Sequence, residues 1–518
     1  MLRVRRSDGE QPLKPYPEPN RGFREDQEAR FARPPGERWV LRIDDEPLVE
    51  EVDGWRWKPG FFAGPVMAEL LGPAGTSRWV LDVSPDPAKL GRERFDAMLD
   101  ELINAEPALV FGEVSATLAT THGDLELTGD LQGLVSLARL RAWGDKLVRA
   151  VRAVEHRPRQ TLRRTREFVP AHRARTVDVA ALNRFVRSPN VRRSGVGSSH
   201  PFAIELGAEV EVPLVESTVD NPVNRVVVEL LQRVLGRIGA TSVALRDVAE
   251  RTQDLELRAA RVARLPARLE MLSRLKAGLE ERLRAWPWRL VSCRDSSAAG
   301  MNALSADPVY ARIGQLVWAV LRQGIGVGAS EERLWLSPTW EIFERWCFVR
   351  LGKQLQREWP LLSWTRCEQP FATAAWRGEG DDVLLGPVVL RLLLQPRFLA
   401  WDLSADREFR SLSRERAPDL VMTLETPSRR AWAVLDAKYR VRRSRVLEAM
   451  ESAHIYRDSL RWAGEAPAVS FLLVPAVPET GWLSESSFQR EHSVGVMVFE
   501  GELDGLVAER LRLADQQA

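Results

Sequence analysis

Residues 416–440, RAPDLVMTLETPSRRAWAVLDAKYR, constrain the fold of this chain more than any other stretch, because their two apolar, β-prone runs fit an antiparallel hairpin. The runs cover 420–424 and 431–435, and between them Thr426, Pro427 and Ser428 favour a turn. With the turn centred between Pro427 and Ser428, Asp419 and Asp436 are equally far from it and face each other across the ladder. Side-chain alternation then returns Lys438 to the face of Asp436 and points Ala437 away. The pattern predicts an acidic pair flanked by one cation.

Two facing carboxylates repel each other unless positive charge lies between them. A divalent metal is the simplest such charge, and oxygen-only ligands favour Mg²⁺ or Mn²⁺ over zinc. The chemistry implied is hydrolysis of a phosphodiester, with Lys438 orienting the attacking hydroxide or offsetting developing charge. The alternative is a solvated strand end in which Asp436 and Lys438 carry no chemistry. Composition bears on the choice: of 74 Lys plus Arg only 7 are lysine, and one stands here, where an ammonium differs chemically from a guanidinium.

Pro418-Asp419 followed by Asp436-Ala437-Lys438 resembles the core motif of the PD-(D/E)XK restriction-endonuclease-like superfamily. Residues 339–351, TWEIFERWCFVRL, resemble the helix preceding that core in McrC-related nucleases, which implies Glu344, with Glu341 as second choice, as a further acid of the metal site. Residues 450–460, MESAHIYRDSL, resemble the helix after the lysine strand and imply His454, Tyr456 and Arg457 or Asp458 near the substrate. The resemblance implies a restriction-endonuclease-like mixed sheet flanked by helices, holding Mg²⁺ or Mn²⁺ on Asp419, Asp436, the Ala437 carbonyl and Glu344. It implies a DNA endonuclease of a prokaryotic restriction or antiphage system, served by a separate McrB-like AAA+ NTPase, and leaves room for a homo-oligomer. The second acid is Asp where many members have Glu, one methylene shorter. Competing readings are an RNA nuclease and a non-catalytic assembly or DNA-binding subunit. Residue by residue, the alternative for Glu344 is an exposed-face or ion-paired helix position and for His454 a packing or hydrogen-bonding histidine.

The rest of the chain divides by pattern. Residues 1–36, rich in Pro, Arg and Glu, read as an extended lead-in, and 37–128 as a mixed α/β region with strands over 39–43 and 78–83 and a helix over 92–103. Residues 129–330 read as a mainly helical accessory domain, with apolar periodicity from Leu131 to Val154 and over 221–238, 248–286 and 309–322, the third interrupted near Pro266. Two stretches there, ESTVDNPVNRVVVELL from Glu216 and LSADPVYARI from Leu304, resemble the domain of unknown function that commonly precedes this nuclease type. Residues 331–518 read as the nuclease domain that the resemblance implies.

Net charge is only +2, but 149–193 holds thirteen arginines against Glu155, Glu167 and Asp178. Arg157, Arg159, Arg163, Arg164, Arg192 and Arg193 are candidates for phosphate or partner contact. Three separated cysteines and six scattered histidines support neither a disulfide framework nor a zinc site. No apolar run reaches about 18 residues, the span a bilayer requires, and no signal-peptide core opens the chain, so a cytoplasmic protein without membrane contact is expected.

Overall fold

In the computed structural model the described residues are 2–500 apart from 7–8, 37–38, 74, 113–115, 126–129, 171–172, 188–190, 194–201, 205–208, 253–254, 295–296, 328–331, 384 and 404–407. The chain is mixed α/β and forms two compact units, the first from residues 1–134, 248–267 and 324–518, the second from 135–247 and 268–323.

The C-terminal part of the first unit is built on a seven-stranded sheet. Its elements are α1 (Thr339–Glu358), β1 (Ser363–Gln369), β2 (Ala372–Asp382), β3 (Gly386–Leu394), β4 (Leu420–Thr426), β5 (Arg429–Ala437), α2 (Arg443–Ser459), β6 (Val469–Val474), α3 (Ser486–His492) and β7 (Val494–Val498). The strands lie in chain order, β1 to β5 antiparallel and β5, β6 and β7 parallel. The parallel step needs a crossover, and α2 supplies it.

Sheet faces follow from alternation. Leu420, Met422, Leu435 and Phe471 share a buried cluster with Phe343, Cys347 and Phe348 of α1. On the opposite face Leu472 and Val474 pack against Val446, Met450 and Ala453 of α2. Both faces are covered, so β4 and β5 read as nearly continuous apolar runs rather than alternating ones. Each fully buried leucine in this layer contributes roughly 1.5–3 kcal/mol. A one-residue slip of β5 would drive Asp436 into the α1 layer, so burial on two faces fixes the register.

The composition of 1–36 predicts an extended lead-in, and here the structure differs. Arg3–Arg6, Gly9–Pro12, Pro19–Arg24 and Ala29–Ala32 are strands of two five-stranded sheets completed by later segments up to Ser84. Leu2, Val4, Leu13, Phe23 and Phe31 join the same buried cluster as α1 and β4. A few large apolar residues at strand spacing outweigh the Pro- and Arg-rich composition, since their partners come from distant strands. Two polar ties reinforce this: Glu25, 3% exposed, accepts hydrogen bonds from Thr339 Oγ1 at 2.7 Å and the Asp86 N–H at 2.8 Å. Residues 37–128 and 331–518 therefore share one core instead of forming separate domains.

The expected helical middle also differs in its limits. A helix spans Leu255–Arg284 and runs through Pro266 without a break. Residues 248–267 belong to the first unit, where buried Arg264 pairs with Asp44 at 2.9 Å. Trp335 Nε1 donates to the other oxygen of Asp44 at 2.7 Å. These contacts hold the turn before Pro266 despite its missing amide donor.

In the second unit, Asn224 explains the two accessory-domain stretches. It donates to the carbonyls of Arg159 at 3.1 Å and Val219 at 2.7 Å, and its Oδ1 accepts from Tyr310 Oη at 2.8 Å. The two stretches are one buried hydrogen-bonded junction. A two-stranded ribbon, Thr161–Pro170 with Glu209–Thr218, pairs over its full ten residues. No helix among the described residues is long and apolar enough to cross a membrane.

Candidate active site

The β4–β5 hairpin closes on Pro427-Ser428, with Thr426 opposite Arg429 and Leu420 opposite Leu435. The same register places Asp419 opposite Asp436 just beyond the last pair. Lys438 Nζ lies 3.1 Å from Asp419 Oδ2 and 2.8 Å from Asp436 Oδ2, bridging the two carboxylates. Asp436 is fully buried, whereas the side chains of Asp419 and Lys438 are 17% and 25% exposed. Its backbone holds Lys438 in place, the N–H donating to Leu473 of β6 at 2.7 Å.

Glu344 reaches this cluster from α1, on the other face of the sheet. It is 1% exposed, and burial, then the neighbouring Glu341 carboxylate, push its pKa up to about 7, against the pull of Arg345, Lys438 and a hydrogen bond from Gln395. Asp419 is held well above the ordinary carboxylate range, first by burial and then by the charges of Asp436 and Glu344, with Lys438 opposing. Burial alone would lower the Lys438 pKa, but Asp436 and Asp419 outweigh it and hold the ammonium charged. Among the described residues Glu344 Oε1 and Asp436 Oδ1 have no hydrogen-bond partner. Buried oxygens without donors, beside acids raised above their ordinary range, mark a site with more negative charge than one lysine neutralises.

Among the described residues no group of three or more His, Cys, Asp or Glu side chains is placed to hold a metal ion. The donor set is of the open kind, in which one or two carboxylates share a hard cation with water and substrate oxygens. The orphaned oxygens of Asp436 and Glu344 fit that group.

The α2 residues divide by helical position. Tyr456 is half-buried, and its phenol is raised by burial and by the Asp436 carboxylate, which places it beside the pair. His454 is exposed, and at two residues, about 200° of helix, from Ser452 it faces away from Asp436. Arg457 donates to the His492 carbonyl at 2.7 Å, tying α2 to the end of α3, and Asp458 is exposed. Glu341 pairs with Arg345 one turn along α1. Ala437 ends β5 with its methyl in the α1-side core.

Two site residues escaped the sequence reading. Ser452 donates to Asp436 Oδ2 at 2.8 Å; its signal was its place one helical turn before Tyr456. Gln395 follows β3 at φ 48°, in the left-handed region. Its N–H donates to the Asp419 carbonyl at 2.7 Å, and its Oε1 accepts from Thr373 Oγ1 at 2.9 Å. Its remaining amide group serves Glu344. Gln395 thus joins two acids from different elements, and only its position before Pro396 hinted at a special turn.

Of the six arginines singled out, Arg157, Arg163 and Arg164 are exposed. Arg159 pairs with Asp307 at 3.2 Å, and the side chains of Arg192 and Arg193 lie outside the described residues.

The model of a domain of unknown function, DUF2357, matches residues 79–308. That span contains the first accessory stretch and half of the second. No curated protein shows significant similarity to the chain. A solved structure, the half-complex from the tetradecameric assembly of Thermococcus gammatolerans McrB AAA+ hexamers with bound McrC, aligns over 91% of this chain and 86% of its own at 12% identity. Its TM-score of 0.22 is too low to establish a common fold.

Proposed function

We propose that this protein is a metal-dependent endonuclease that hydrolyses phosphodiester bonds of DNA, as the nuclease subunit of a prokaryotic restriction or antiphage system with an AAA+ NTPase partner. The observation that carries the reading is the Asp419–Lys438–Asp436 bridge, built on buried Asp436, with orphaned oxygens on Asp436 and Glu344. The order of elements supports it: a helix, an antiparallel meander, a crossover helix and a parallel strand, as the PD-(D/E)XK resemblance implies. The partner rests on the motif resemblance alone.

Asp419 and Asp436 would hold Mg²⁺ or Mn²⁺ together with the Ala437 carbonyl, and Glu344 is the further acid that the resemblance adds to the site. When bound, such an ion lowers the pKa of water and offsets charge on a phosphoryl group. The chain's own contribution is positional. Lys438 stays protonated between the acids and can donate to a phosphate oxygen or hold the attacking water. Tyr456 stays neutral as a second donor on the same face. Ser452 and Gln395 fix Asp436, Asp419 and Glu344 in place, and the leucine layer excludes water from one side.

The test is cleavage of duplex DNA, single-stranded DNA and RNA with Mg²⁺ or Mn²⁺, comparing wild type with Asp436→Ala and Lys438→Ala, with and without a McrB-like AAA+ NTPase. Cleavage lost in both folded variants supports the nuclease and identifies its substrate. Equal behaviour of wild type and variants, with the partner present, refutes it and favours an assembly subunit.

A further inference from the structure

Charge is divided sharply between the two units. Counted over their residues, the second unit carries 29 Lys and Arg against 16 Asp and Glu, and the first 45 against 56. A net charge of +2 for the chain conceals +13 on one unit and −11 on the other. Such a separation opposes compactness through self-repulsion within each unit, and its usual return is attraction of an oppositely charged partner.

The structure separates the arginines that serve the fold from those that do not. Arg159, Arg166 and Arg184 pair with Asp307, Asp178 and Glu211. Arg149, Arg152, Arg157, Arg163 and Arg164 are exposed, and none is paired with a carboxylate among the described residues. Arg149 and Arg152 stand one turn apart on the solvent side of the helix Asp130–Glu155, whose buried side carries Leu147, Val151 and Val154. Arg163 and Arg164 lie on the Thr161–Pro170 strand of the ribbon, on opposite faces.

We infer that the second unit is a sequence-independent binding surface for the phosphate backbone of duplex DNA, with this arginine track as its main contact. The inference deepens the nuclease reading, on which it rests for the identity of the polyanion. The track favours nucleic acid over an acidic protein by its make-up: five exposed arginines without a carboxylate partner among the described residues run from Arg149 and Arg152 on the helix through Arg157 to the adjacent Arg163 and Arg164 on the strand. Guanidinium forks distributed over two elements suit an evenly charged, extended ligand better than a local acidic patch.

The test uses the full chain in EDTA, so that binding is read without cleavage. Anisotropy of a fluorescein-labelled DNA duplex is titrated across salt for wild type, Arg163→Gln/Arg164→Gln, Arg149→Gln/Arg152→Gln and Arg24→Gln. Each double arginine variant should weaken binding roughly tenfold near ~0.1 M salt and flatten the log–log salt slope by about 2, since each lost phosphate contact removes ~0.9. Arg24→Gln, an exposed arginine of the first unit, should bind as wild type does. Thermal melting of each variant separates lost binding from lost fold. Unchanged affinity and slope in both folded arginine variants overturns the inference. So does arginine-dependent capture of polyglutamate without capture of DNA, which would mark an acidic-protein face. Arginine-dependent DNA binding by a protein that never cleaves leaves the inference standing and removes the nuclease reading instead.

Discussion

Replacing Glu344 by Gln should make the protein more stable at neutral pH and leave it unchanged in acid. The buried carboxyl is raised from the ordinary 4.5 to about 7, so the folded state binds its proton more tightly than the unfolded state does. Stability from that proton is fully present below pH 4.5 and is lost as pH rises through about 7. At about 1.4 kcal/mol per pH unit, the loss is roughly 3 kcal/mol. Glutamine has the shape of the protonated acid and does not titrate. Wild type and Glu344→Gln should therefore coincide near pH 4.5 and diverge by roughly 3 kcal/mol above pH 7, with the variant the more stable. Pulse proteolysis in urea and EDTA, with mass-spectrometric detection of α1 and β5 peptides, reads this region separately from the second unit. Saturating Mg²⁺ should narrow the gap, because a cation favours the charged form. A wild-type-minus-variant difference that stays flat across the window would refute the reasoning, since it would mean that Glu344 titrates as an ordinary exposed acid.

Lys438→Met leaves Asp419 and Asp436 without their bridging cation and should cost roughly 3 kcal/mol at neutral pH by urea unfolding, with most of it restored by adding Asp436→Asn. No restoration would mean that the lysine acts through packing. Mg²⁺ should stabilise wild type by about 2.7 kcal/mol at a hundredfold excess over its Kd, and Asp419→Asn/Asp436→Asn not at all; equal melting shifts in both would place the ion elsewhere. Glu25→Ala removes the carboxylate that accepts from Thr339 Oγ1 and the Asp86 amide, leaving Thr339 only the Phe61 carbonyl, and should lower stability by roughly 2–4 kcal/mol. Intact melting would show that the N-terminal sheets do not need this tie. Gly54→Ala would set a Cβ 2.0 Å from the Phe31 carbonyl oxygen at φ 141° and should destabilise the first N-terminal sheet by several kcal/mol, ~3 or more, whereas a wild-type melting curve would contradict that strand pairing.

The hairpin register was legible because it depends only on neighbours in sequence: a two-residue turn and the period of two carry Asp419 to Asp436 and Lys438 back to the same face. The helix over 308–321 was legible for the same reason, since apolar spacing is local, whereas those over 339–358 and 443–459 were placed by the family resemblance. The lead-in over 1–36 was misread because, although Arg3–Arg6 pairs within it, Pro19–Arg24 and Ala29–Ala32 also need partners as distant as Val80 and Trp57. Gln395 and Ser452 were missed because a polar residue at a strand end or on a helix says nothing alone of which acid it meets.

The sequence by itself determined which residues could carry chemistry and the local geometry that pairs two of them. Tertiary structure alone decided that Glu344 is buried beside that pair from the opposite face, that Lys438 bridges both aspartates, and that positive charge gathers in one unit and negative in the other. Local pattern specifies dihedral angles and faces, whereas burial and electrostatic neighbourhood depend on contacts between residues hundreds of positions apart, which no short window contains.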